Sequence, residues 1–68
     1  MSMQIQLNGT AREVAEDTTL AALIGTLELG NRRVAVEVNE ELVPRTQHQE
    51  HRLRPGDRVE IVQAIGGG

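Results

Sequence analysis

The period of the apolar residues changes along the chain, and this change restricts the possible folds more than any other feature. At the start, Met3, Ile5 and Leu7 alternate with polar residues, which is the period of a strand with one buried face. The apolar residues of the later segments are Leu20, Leu23, Ile24 and Leu27 at helical spacing, then Val34, Val36, Val38, Val59 and Ile61 at strand spacing. The pattern predicts strands towards both ends and one amphipathic helix between them.

Turn signals separate the predicted strands. Asn8-Gly9 favours a type I′ hairpin turn, because both residues accept a positive φ, and residues 10–16 would return as a second strand. Residues 39–41 predict another turn, after which a short extended piece ends at Pro44. The sequence Pro-Gly-Asp at 55–57 predicts the turn that leads into a final strand over about residues 58–65.

The predicted helix has recognisable end signals. Asp17 or Thr18 is expected to cap its N-terminus by accepting a free backbone N–H, and Gly30-Asn31 is expected to end it after about three turns. Gly25 lies inside the predicted helix, where glycine lowers helix stability by about 1 kcal/mol relative to alanine. We therefore expect a close approach of another element at Gly25.

The order of elements is hairpin, helix, strand, short extended piece and final strand. A helix laid across one face of a mixed sheet buries the apolar faces of both. The order predicts an α+β fold of the β-grasp, or ubiquitin-like, type, in which the first and last strands are parallel neighbours at the centre of the sheet. An SH3-like barrel or an OB-fold fits less well, because neither has a helix directly after the opening hairpin. We expect one domain over residues 1–68, with 66–68 as a flexible glycine tail.

Composition excludes several classes of function. The 68 residues include no cysteine, which removes a cysteine nucleophile and thiolate metal sites, and no aromatic residue on which bases could stack. A net charge of −3 disfavours nucleic acid as a partner. No apolar stretch approaches the roughly 20 residues that span a bilayer, so a cytoplasmic location is expected. His48 and His51, without a third convergent ligand, are too few for a metal site. The chain is predicted to be neither an enzyme nor a metal protein.

The terminal glycines are the feature most suggestive of chemistry. Gly66, Gly67 and Gly68 have no Cβ, so they can form a thread thin enough to enter a narrow channel. The main-chain carboxylate at its end is ionised at neutral pH and can attack the α-phosphate of ATP. The chain has no phosphate-binding motif. We therefore expect a partner, and not this chain, to bind the ATP. The alternative interpretation is a frayed end or a linker.

Three segments carry a resemblance to a known family: "MQIQLNG", "VAVEVNEELVPR" and "GDRVEIVQAIGGG". The chain resembles the ThiS family of sulfur carriers of thiamine biosynthesis over residues 3–68. The resemblance implies that a ThiF-type adenylyltransferase adenylates the carboxylate of Gly68 and that sulfur from a cysteine persulfide displaces AMP. The resulting thiocarboxylate would supply sulfur to the thiazole synthase ThiG. Gly67 corresponds to the family's penultimate glycine, and Gly66 would extend the thread.

Docking to such partners needs a surface beside the tail. If Val59 and Ile61 face the core, Val62 and Ala64 face the opposite way, and with Ile65 they would form an exposed apolar strip. The alternative is that Val62 is an isolated exposed valine. Two other functions stay open: the related small subunit of molybdopterin synthase, which uses the same terminal chemistry, and a β-grasp binding module whose tail is incidental.

Overall fold

The computed structural model describes residues 1–29 and 33–63. The elements are strands β1 (Ser2–Leu7), β2 (Thr10–Ala15), β3 (Val34–Val38), β4 (Glu41–Leu42) and β5 (Arg58–Gln63), helix α1 (Leu20–Gly25), and a 3-10 helix at Arg45–Gln47. The strands form one sheet in the order β2-β1-β5-β3-β4. Strands β1 and β5 are parallel, and the other neighbours are antiparallel. The predicted β-grasp topology, with the first and last strands side by side, is confirmed.

Two tight turns each contain a pair of residues with positive φ. In the first, Asn8 and Gly9 have φ of 50° and 82°, as the type I′ prediction requires. In the second, Asn39 and Glu40 have φ of 53° and 69°, which is the same left-handed pair without a glycine. These turns end β1 and β3, the two strands that flank β5.

The core lies between the sheet and α1, on one face of the sheet. It consists of Met3, Ile5, Leu20, Leu23, Val36, Val38, Val43, Leu53 and Val59. The helix contributes Leu20 and Leu23, which are 0% and 1% exposed. Burial of each such side chain stabilises the fold by about 1.5–3 kcal/mol. The alternation in the sequence therefore assigned the core face of β1, β3 and β5 correctly.

Helix α1 begins later than predicted. Its N-cap is Thr19, whose extended backbone (φ −88°, ψ 163°) lets the side-chain oxygen accept the N–H of Ala22 at 3.1 Å. The hydroxyl of Thr18 instead donates to the carbonyl of Ala15 at 2.7 Å and so stabilises the turn before the helix. The prediction of Asp17 or Thr18 as the cap was wrong.

The helix also ends earlier than predicted, after six residues. The N–H of Thr26 donates to the carbonyl of Leu23 at 3.1 Å, and Glu28 follows with a left-handed φ of 54°. The predicted stop at Gly30-Asn31 lies outside the described residues. A Cβ placed on Gly25 would meet no atom within 4 Å, so the predicted close approach at this glycine was wrong.

The segment between β4 and β5 is mostly exposed but contains one buried polar residue. His48 is buried, and its Nε2 lies 3.0 Å from the carbonyl of Val43, to which the ring N–H donates. The predicted turn at 55–57 is confirmed, since Gly56 has φ of 83° and the Asp57 carboxylate accepts the N–H of Arg54 at 2.9 Å. None of the helices within residues 1–29 and 33–63 has the length and apolar composition that a bilayer crossing needs.

Candidate functional site

Strand β5 extends to Gln63, the last described residue, and residues 64 and 65 separate it in the sequence from the predicted glycine tail. Val59 is 1% exposed and Ile61 packs against the core, whereas Val62 is 60% exposed on the opposite face. The predicted parity of β5 is confirmed. The other predicted site residues, 64–68, lie outside the described residues.

Val62 belongs to a larger exposed apolar surface. It is directly opposite Ala35 of β3, which is also exposed. Leu42 of β4 is 66% exposed and is directly opposite Glu37 of β3. Glu37 and Ala35 are two residues apart in β3, so both lie on the same face of the sheet as Leu42. We call Ala35, Leu42 and Val62 the open-face cluster. Sequence analysis missed Ala35 and Leu42, although the alternation of β3 already placed Ala35 opposite to the buried valines.

Two carboxylates border the open-face cluster. Glu37 and Glu60 are directly opposite each other in the β3–β5 ladder, on the face that carries Val62. Like charges in this position destabilise a sheet, by roughly 0.2–1 kcal/mol. The face beside the end of β5 thus combines exposed apolar side chains with negative charge, and a surface that carries apolar and basic groups would complement it.

Two asparagine side chains bind the main chain of β5. The Oδ1 of Asn39 accepts the N–H of Arg58 at 3.0 Å, at the start of the strand. The Oδ1 of Asn8 accepts the N–H of Ile61 at 2.8 Å, and the N–H of Asn8 donates to the carbonyl of Val59 at 2.8 Å. The sequence indicated only the turn-forming role of Asn8, because the residues it binds are more than 50 positions away.

In residues 1–29 and 33–63, no three of the His, Asp and Glu side chains converge as a metal site. An open pocket of about 550 Å³ lies at the start of β5, lined by residues of mixed charge such as Glu50, His51 and Arg54. This pocket is at the opposite end of β5 from the predicted tail.

A sequence model of the ThiS family matches residues 5–68 of this chain. The chain belongs to the ThiS family. Among ThiS proteins, the sulfur carrier protein ThiS of Escherichia coli is 33% identical over 66 residues, which cover 97% of this chain and 100% of that protein. The crystal structure of a thiamine biosynthesis protein (ThiS) from Geobacter metallireducens superposes with a TM-score of 0.84, at 30% identity, over 97% of this chain and 100% of that one.

A longer protein also contains a segment similar to this ThiS family member. The thiazole synthase of Paramagnetospirillum magneticum is 41% identical over 66 residues, which are 97% of this chain but 20% of that protein. The chain therefore spans about a fifth of the length of that relative.

Proposed function

We propose that this chain is a sulfur carrier of thiamine biosynthesis and that it carries sulfur on the terminal carboxylate of Gly68. The observation that most supports the proposal is the match to the ThiS family over residues 5–68, because it extends to the last glycine. The fold is consistent with the proposal, since β5 is the central strand of the sheet and carries the exposed apolar residue Val62 near its end.

The proposed reaction takes place in partner active sites. A carboxylate oxygen of Gly68 attacks the α-phosphorus of ATP, which releases pyrophosphate and leaves an acyl-adenylate. The terminal sulfur of a cysteine persulfide then attacks the acyl carbon and displaces AMP. A second thiol cleaves the sulfur–sulfur bond, forms a disulfide with the donor cysteine and leaves the thiocarboxylate. This chain contributes the nucleophilic carboxylate and a segment narrow enough to present it.

The proposed partners are a ThiF-type adenylyltransferase and the thiazole synthase ThiG. The similarity of the chain to a segment of a thiazole synthase favours the second partner. The open-face cluster is the proposed docking surface for both, because exposed apolar patches of small proteins often mark interfaces. Residues 64 and 65 would extend this surface towards the tail.

The proposal is tested by mass spectrometry of the intact chain after incubation with ATP, a ThiF-type enzyme and a persulfide donor. We expect the replacement of one oxygen by sulfur, located at Gly68. A matched control carries one alanine after Gly68, so that the three glycines stay while the terminal carboxylate belongs to another residue. A second control lacks Gly67 and Gly68. Both controls should fold like the wild type and remain unloaded.

Three results would contradict the proposal or change it. An unmodified terminus, under conditions that load the ThiS protein of Escherichia coli, would contradict the carrier function. Full biological activity without Gly67 and Gly68 would favour a binding module with an incidental tail. Sulfur transfer to the large subunit of molybdopterin synthase, and not to a thiazole synthase, would assign the carrier to the other pathway.

A further inference from the structure

Strand β5 donates chemically equivalent hydrogen bonds to side chains of two turns, at different distances from its end. Asn39, in the turn between β3 and β4, binds the N–H of Arg58 at the start of β5. Asn8, in the turn between β1 and β2, binds the N–H of Ile61. Ile61 is two residues from Gln63, the last residue of β5, so the Asn8 bond lies on the side of the predicted tail.

The side chain of Asn8 replaces a main-chain acceptor of the parallel ladder. The N–H of Gln6 donates to the carbonyl of Asp57 at 2.9 Å, and the N–H of Asn8 donates to the carbonyl of Val59 at 2.8 Å. If the ladder continued, the main-chain carbonyl of Asn8 would accept the N–H of Ile61. The chain turns at Asn8, where φ is 50°, and the side-chain amide oxygen accepts this N–H instead.

This bond supports the part of β5 that extends beyond the end of β1. On one side, β5 pairs with β3 as far as Gln63, which is opposite Val34. On the other side, the register with β1 ends at Val59, opposite Leu7. Among the described residues, the Asn8–Ile61 bond is the hydrogen bond nearest the end of β5 on that side. With this bond on one side and β3 on the other, β5 is hydrogen-bonded on both sides as far as Ile61, two residues beyond the end of its pairing with β1.

We propose that Asn8 is a positioning residue for sulfur loading, because its side chain fixes Ile61 and with it the last described residues of β5, which precede the predicted tail. The inference rests on the proposed function of Gly68. While the open-face cluster is docked, the carboxylate has to reach a partner's reacting group across a few residues. If the end of β5 is held in place, the residues between it and the carboxylate have fewer conformations to sample. The effective concentration of the carboxylate at the partner's reacting group is then higher. Asn8 acts through Ile61, so loss of its side chain should lower the rate of loading more than the affinity for the partner.

Three substitutions separate this role from the role of Asn8 in the turn. Asn8→Gly keeps a residue that accepts positive φ, so the hairpin persists while the bond to Ile61 is lost. Asn8→Asp keeps both the left-handed conformation and an acceptor oxygen, and should restore the bond. Asn39→Gly is the control at the start of β5, since it removes the equivalent bond there, together with the bond that Nδ2 of Asn39 donates to Oδ1 of Asp57 at 3.0 Å.

The experiment combines amide hydrogen exchange by NMR with steady-state loading of the full chain by a ThiF-type enzyme, ATP and a persulfide donor. Loss of one hydrogen bond should raise the exchange rate of the Ile61 amide about three- to tenfold in Asn8→Gly. We expect kcat for loading to fall by a similar factor while KM stays unchanged, and Asn8→Asp to restore both readouts. Asn39→Gly should raise exchange at Arg58 and leave kcat at the wild-type value.

Several outcomes would overturn the inference. It is wrong if Asn8→Gly does not accelerate exchange at Ile61, or accelerates it while kcat stays at the wild-type value. It is also wrong if Asn39→Gly lowers kcat as much as Asn8→Gly, because the effect would then be one of general stability. Absence of loading in the wild type would overturn the proposed function and this inference together, so the two failures are distinguishable.

Discussion

Removal of the open-face cluster should weaken partner binding without affecting the fold. In the free chain Leu42 is 66% exposed and Val62 is 60% exposed, so most of their apolar surface is not buried by folding. Complete burial of such a side chain contributes about 1.5–3 kcal/mol, and roughly two thirds of this would be gained only on docking. Each truncation to alanine should therefore cost about 1–2 kcal/mol of binding free energy, which raises Kd about five- to thirtyfold.

The assay is titration calorimetry of Leu42→Ala, Val62→Ala and the double variant with the ThiF-type enzyme and with the thiazole synthase. Because only about a third of each side chain is buried in the free chain, the free energy of unfolding in urea should fall by only about 0.5–1 kcal/mol per substitution. Val62→Asp should bind more weakly than Val62→Ala, since docking would bury a carboxylate. Gln4→Ala is the control, an exposed polar residue of β1 on the same face of the sheet, two strands from Ala35.

Two results would refute the reasoning. If the double variant binds both partners with wild-type affinity, the open-face cluster is not an interface, and its exposure has no role in docking. If the double variant loses binding together with a large part of its folding free energy, the residues contribute to the fold, and the exposed fractions have been misinterpreted.

Three further predictions concern stability and can be measured by urea unfolding. Gly25→Ala should stabilise the chain by up to about 1 kcal/mol, because a Cβ there meets no atom within 4 Å and the residue has no positive φ. Gly56→Ala also has free space, but its φ of +83° should make the substitution destabilising by about 1–2 kcal/mol, so opposite signs are expected. Leu20→Ala, at a fully buried site, should cost about 2–5 kcal/mol, a large part of the stability of so small a domain, and a change below 1 kcal/mol would contradict the assigned core.

The parts of the fold that follow from local rules were predictable from the sequence. The strand faces follow from alternation, and the hairpin at Asn8-Gly9 follows from the need for two positive φ values. The start of α1 was not predictable, because Asp17, Thr18 and Thr19 are all residue types that cap helices. Tertiary hydrogen bonds decide among them: the carbonyl of Thr18 accepts the N–H of Leu53 at 3.0 Å, which keeps this residue outside the helix.

In the candidate site too, features set by a local pattern were predictable, and features set by tertiary contacts were not. The exposure of Val62 followed from the parity of β5, a local property. Leu42 belongs to the open-face cluster because of the sheet order, since β3 lies between β4 and β5 and brings Leu42 and Val62 to the same face. The bond between Asn8 and Ile61 joins residues 53 positions apart, and no local pattern in either segment indicates it.

The two faces of the sheet follow different rules, and the difference supports the proposed docking role of the open-face cluster. On the helix side the apolar residues are buried, and in the described part of the chain no buried side-chain polar atom lacks a hydrogen bond. On the other side, next to the end of β5, Leu42 and Val62 remain exposed and Glu37 is opposite Glu60. Natural sequences break local rules mainly at functional sites, where a partner supplies the missing contacts. Because Leu42 and Val62 are largely exposed in the free chain, substitutions there should change binding at little cost in stability, whereas substitutions in the core should do the reverse.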